Sequence, residues 1–151
     1  MHILLFFGII TGGIVLDHLS KCWAIVHLMG QKSRVLFPAL LDLTYVENTG
    51  AAFGILSGHP LLLAGISIII LAGITVYTLK KERKHPVFMT AVALIVSGAI
   101  GNLIDRVFRG YVVDFLEFSF FDFPVFNIAD CFVVVGVFLL ALQVLFLEKG
   151  E

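Results

Sequence analysis

Four aspartates, Asp17, Asp105, Asp114 and Asp130, stand in or beside long apolar runs. A charged side chain near a bilayer centre costs roughly 2.5–3.5 kcal/mol on insertion scales, so acids kept at such places are functional candidates by default. Two carboxylates facing one another across a water can hydrolyse a peptide bond with neither a metal nor a covalent intermediate. The ionised one takes a proton from the water, and the protonated one hydrogen-bonds the scissile carbonyl. Close approach of like charges, with desolvation by lipid and by Phe115 and Phe126, would split the two titrations and leave one shared proton at neutral pH. Spacing alone leaves open which two of the four acids form such a pair. The amides of Asn48, Asn102 and Asn127 would be orienting groups, donating to a carboxylate or to a substrate backbone. The five histidines (His2, His18, His27, His59 and His85) lack the close pairing a metal site needs, and neither a metal nor another cofactor is expected. Cys22 and Cys131 lie in apolar surroundings and read as small buried hydrophobes, with no neighbouring His to act as a base.

The elements that must position these groups are membrane helices. The chain has 151 residues, 60% of them hydrophobic and 14% charged, with a mean hydropathy of +1.06, far above soluble domains. This composition predicts an integral membrane protein, mainly α, as a single domain over 1–151. A net charge of −1 gives no pull toward nucleic acid. Spans are expected at about 3–28, 60–79, 86–107 and 125–147, each long enough to cover a hydrocarbon core of about 30 Å. Between about 30 and 58 the composition shifts to strand and turn formers, including Val35-Leu36-Phe37, Leu43-Thr44-Tyr45-Val46 and the turn Asn48-Thr49-Gly50, which predicts a small external β platform lying against the membrane surface. The basic run Lys80-Lys81-Glu82-Arg83-Lys84 marks the loop 80–85 as cytoplasmic. Four spans then put both termini in the cytoplasm, and the β element and the loop 109–124 outside. That parity brings Asp17, Lys21, Asn102, Asp105, Asn127 and Asp130 to one membrane depth, where a common site is expected.

Spacing supplies local detail. Asp17 and Lys21 stand at i and i+4 and can pair on one helix face. Asn102, Asp105 and Arg106 share a face of the third span, Asn127 and Asp130 a face of the fourth. Ser97 and Gly101 have the spacing that lets another helix approach closely. Arg106 could instead pair with Asp105 and snorkel toward headgroups. Asp114, within Val112-Val113-Asp114-Phe115, could sit on a strand or at a re-entering helix end. A proton-coupled transporter would need polar groups continuing to the cytoplasmic side, and the second span and the later part of the fourth are almost wholly apolar. A lipid-binding assembly subunit, in which the polar cluster only fixes helix packing, is the other alternative.

The ordered set Asp17-His18-Leu19-Ser20-Lys21, Asn48-Thr49-Gly50-Ala51-Ala52-Phe53, Gly98-Ala99-Ile100-Gly101-Asn102-Leu103-Ile104-Asp105-Arg106, Val113-Asp114-Phe115 and Phe126-Asn127-Ile128-Ala129-Asp130 resembles the motifs of the lipoprotein signal peptidases, over essentially the whole chain. The resemblance implies an aspartic endopeptidase of the bacterial cytoplasmic membrane. Such an enzyme removes the signal peptide from prolipoproteins on the N-terminal side of a diacylglyceryl-modified cysteine, at the outer face. It implies Asp114 and Asp130 as the catalytic pair, with Asn48, Gly50, Asn102, Asp105, Arg106 and Asn127 around the site and Asp17 and Lys21 supporting it. Its partners would be the lipid-modified substrate and membrane lipids, and the protein is expected to be monomeric. One departure is visible: the third-span motif of the family usually opens with two glycines, and Ser97 takes the first position here.

Overall fold

A computed structural model of the chain describes residues 3–51, 54–80 and 85–147. Four long apolar helices carry it: α1 (Ile3–Leu28), α2 (Pro60–Lys80), α3 (Pro86–Phe108) and α4 (Ile128–Leu142), the last running on through one π turn, Gln143–Leu147. Their outward faces are apolar, as at Leu4, Val26, Ile69, Leu79 and Phe138, which suits lipid rather than water as their solvent. Most of the basic loop, 81–84, and Ala52-Phe53 of the second motif lie outside the described residues.

Helix α3 is the hub and packs against α1, α2 and α4. Small residues make that possible. A Cβ at Gly98 would run into the carbonyl oxygen of Ala129 and lie 2.8 Å from Val133 Cγ2 on α4. Ser97 faces Gly13 of α1, and Gly101 faces the Asp17 carboxylate. Ser97 therefore has its partner glycine on the neighbouring helix.

A three-stranded antiparallel sheet, in the order β1 (Arg34–Phe37), β2 (Leu41–Asn48), β3 (Val112–Phe118), packs against α1 and α3 through β2 and β3. The first two strands come from the predicted β platform. The third comes from the segment after α3 and settles the open question about Asp114, which is on a strand opposite Val46. The α3–β3 connection turns at Gly110, whose φ of 80° is costly for other residues.

The fourth helix begins at Ile128 rather than at about 125. Phe126 is held away from helical geometry by β3: its carbonyl accepts from the Phe115 and Leu116 amides (3.0 and 2.8 Å) and its own amide donates to Leu116 (2.9 Å). Asn127 then caps α4, accepting from the Asp130 amide while the Asp130 carboxylate accepts from the Asn127 amide. This capping box uses two of the orphan groups at the helix start. The Phe126 bonds to β3 and the Asn127 amino group on Asp114 tie the start of α4 to the strand that carries Asp114.

Candidate active site

The structure divides the four acids by the partners they have. Asp17 and Asp105 surround Lys21, whose Nζ lies 2.8 Å from Asp17 Oδ2 and 3.2 Å from Asp105 Oδ2. The lysine is 1% exposed, and a buried cation requires such company. Both acids also fasten neighbouring elements. Asp17 Oδ1 accepts from the Ala129 amide at the start of α4 (3.0 Å). Asp105 Oδ2 accepts from the Val113 amide of β3 (3.2 Å), and its Oδ1 faces Arg109 Nε at 3.2 Å. The sequence assigns none of these roles to Arg109, Ala129 or Val113. Only Arg109 leaves a signal there, four residues after Asp105 on one helix face.

Asp114 and Asp130 have a different environment. Among the described residues no ion pair reaches either, and both are held by amides. Asp114 Oδ1 accepts from Asn127 Nδ2 (2.6 Å) and its Oδ2 from Asn48 Nδ2 (2.9 Å). Asp130 Oδ1 accepts from Asn102 Nδ2 (2.8 Å) and its Oδ2 from the Asn127 amide (3.1 Å). Asn127, fully buried, thus touches both carboxyl groups, and all three asparagines serve the pair. Burial pushes the Asp114 carboxyl up to about 7, and the charge of Asp130 adds to the rise against the opposing hydrogen bonds from Asn48 and Asn127.

The two carboxyls open onto one cavity of about 520 Å³. Asn48, Asn102, Arg106, Asp114 and Asp130 form its polar end, and Phe118, Phe123, Phe126, Val133 and Val134 its apolar walls. Arg106 departs from the snorkelling alternative and from a pairing with Asp105. It turns inward, and its Nη2 donates to the Gly50 carbonyl (3.2 Å) while Asp105 is occupied by Lys21 and Arg109. Gly50 is a fold residue here as well: its amide donates to Asn48 Oδ1 (2.9 Å), and a Cβ on it would lie 3.0 Å from the Ile55 carbonyl.

Cys22 requires a correction. Its Sγ lies 3.6 Å from His18 Nε2, because i and i+4 meet on a helix, and both cysteines are partly exposed rather than buried. The His18–Cys22 pair belongs to α1, whereas Cys131 is the thiol that lines the cavity. Among the described residues no three His, Cys, Asp or Glu side chains are grouped as a metal would require.

The chain as a whole is similar to known proteins. The family model described as Signal peptidase (SPase) II matches residues 9–146. A lipoprotein signal peptidase of Clostridium acetobutylicum is 42% identical over 137 residues, covering 89% of this chain and 89% of that protein. One of Halalkalibacterium halodurans is 47% identical over 135 residues, covering 87% and 86%. A bacterial membrane enzyme whose structure was determined by the in meso method is 34% identical, with a TM-score of 0.87 over 95% of this chain and 94% of that one.

Proposed function

The chain belongs to the signal peptidase II family, and from that premise we propose that Asp114 and Asp130 are the catalytic pair of this bacterial multi-pass membrane peptidase. The observation that carries the assignment is the division of the acids: Asp17 and Asp105 are engaged by Lys21, while Asp114 and Asp130 share Asn127 and line one cavity. The substrate is a prolipoprotein carrying a diacylglyceryl-modified cysteine, cut on the N-terminal side of that residue. Its peptide lies across the polar end of the cavity and its acyl chains against the Phe and Val walls. Both termini are cytoplasmic, and the sheet and the cavity face the outer side.

The geometry supports hydrolysis by this pair. A water between the carboxyls gives a proton to Asp130 as its oxygen bonds to the scissile carbonyl carbon, and the proton on Asp114 passes to the carbonyl oxygen. The resulting gem-diol collapses when Asp130 returns its proton to the departing amine nitrogen and Asp114 recovers one from a diol hydroxyl. Asn48, Asn102 and Asn127 hold the carboxylates in place throughout, at no cost in reorganisation. Arg106 borders the cavity, and its Nε is buried without a partner among the described residues.

Because Asp114 must enter the reaction protonated, kcat/KM is expected to fall as pH rises through about 7, close to tenfold per pH unit beyond it. A profile flat from about pH 6 to about pH 9 would remove Asp114 from the acid role. A second expectation concerns the β1–β2 tip, where Val35, Leu36, Phe37 and Leu40 are exposed. Replacing residues 36–40 by a short polar turn should raise KM with little change in kcat, as loss of uniform binding does. Unchanged KM would show that the tip does not clamp substrate.

A further inference from the structure

Each of the three asparagines facing the carboxyl pair has its oxygen fixed by a donor that cannot become an acceptor. Asn48 Oδ1 takes the Gly50 amide (2.9 Å) and Asn127 Oδ1 the Asp130 amide (3.0 Å). Asn102 Oδ1 takes Lys21 Nζ, at 2.9 Å across 81 residues of sequence. An ammonium only donates. Two of the three fixing donors are therefore backbone, and the third is a side chain that substitution can remove.

Neutralising Asp17 and Asp105 uses two of the three Lys21 protons. The third proton goes to an amide, which needs no neutralising. We infer that Lys21 is a positioning residue for the reaction: by donating to Asn102 Oδ1 it turns the Asn102 amino group onto Asp130 Oδ1, and so sets the water-activating carboxylate. Asn127 Nδ2 also reaches Asn102 Oδ1, at 3.1 Å, but it is shared with the shorter bond to Asp114. The lysine bond is charge-assisted and is the stronger hold. This inference rests on the assignment of Asp114 and Asp130.

Lys21→Met alone leaves the buried Asp17 without a cation and Asp105 with Arg109 only, and so threatens the fold itself. The informative comparison is therefore between two double variants, Asp17→Asn/Lys21→Met and Asp17→Asn/Lys21→Gln. Each removes one charge of either sign, so the net charge of the Asp17, Lys21 and Asp105 cluster stays as in the native protein. The Asp17→Asn change keeps an acceptor for the Ala129 amide. Lys21→Gln keeps a donor for Asn102, whereas Lys21→Met gives a side chain of similar length with no donor.

With purified protein in detergent and a lipidated prolipoprotein, the double variant containing Lys21→Met should lose roughly ten- to a hundredfold in kcat with KM unchanged, the worth of one charge-assisted hydrogen bond. The double variant containing Lys21→Gln should recover most of that loss at an equal melting temperature. Equal kcat in the two variants, or native kcat in the one with Lys21→Met, would overturn the inference and leave Lys21 a neutralising cation. Asp114→Asn is run beside them: if it cleaves like the native protein, the assignment of the pair has failed instead.

Discussion

Asp114→Asn and Asp130→Asn are each expected to lower kcat by roughly 10²–10⁴-fold, and the double variant to lose little more than either alone. The reason is that the two groups act on one water as a unit. With Asp130 replaced, nothing takes the proton from the attacking oxygen; with Asp114 replaced, the developing oxyanion loses its proton donor. Asn is nearly isosteric with Asp and can still accept from Asn127 or Asn102, so the fold and KM should change little. Losses that simply multiply in the double variant would mean two independent roles and would break the paired mechanism. Unfolding curves measured alongside separate lost chemistry from lost protein.

The second large effect concerns packing. Gly98→Val should destabilise the protein by roughly 1–3 kcal/mol or more, because the new Cβ meets backbone rather than a flexible side-chain end. The obstructing group is the Ala129 carbonyl, in the first turn of α4, so relief comes by pushing that turn away from α3. The same turn carries Asp130, and activity should fall in the protein that remains folded. Gly12→Val is the control, since nothing lies within 4 Å of a Cβ there, and its effect should stay within about 0.5 kcal/mol. Equal melting temperatures for the two variants would contradict the close α3–α4 contact.

Much of the arrangement is legible in the sequence, for a physical reason. Helix spans follow from the number of apolar residues needed to cross lipid, and the Asp17–Lys21 pair follows from helix periodicity. Asp105 and Arg106 show where that reading stops. They share a helix face, yet one is drawn to Lys21 and the other to the Gly50 carbonyl. Neighbours on a face diverge when different elements cover them. The third strand is hidden for a similar reason. Val112–Phe118 pairs with β2 across the whole of α2 and α3, and no local signal encodes such a register. Proposing a pair among the four acids from their surroundings needs the position of Lys21 in space, because the two acids that this cation engages are set apart from the other two only once the helices have packed.

One cleavage assay decides whether Asp114 and Asp130 act as a metal-free pair. Purified protein in detergent is given a lipidated prolipoprotein, and the product is followed by gel shift for the native chain, Asp114→Asn, Asp130→Asn and Asp42→Asn, with a chelator added to a parallel set. Asp42 is an aspartate of β2, opposite Val35 and Glu117 and outside the cavity lining. Cleavage is expected from the native chain and Asp42→Asn, with or without chelator, and at most trace cleavage from the other two. Sustained cleavage by Asp114→Asn or Asp130→Asn, or loss of native cleavage in chelator, would contradict a metal-free carboxyl pair at this site.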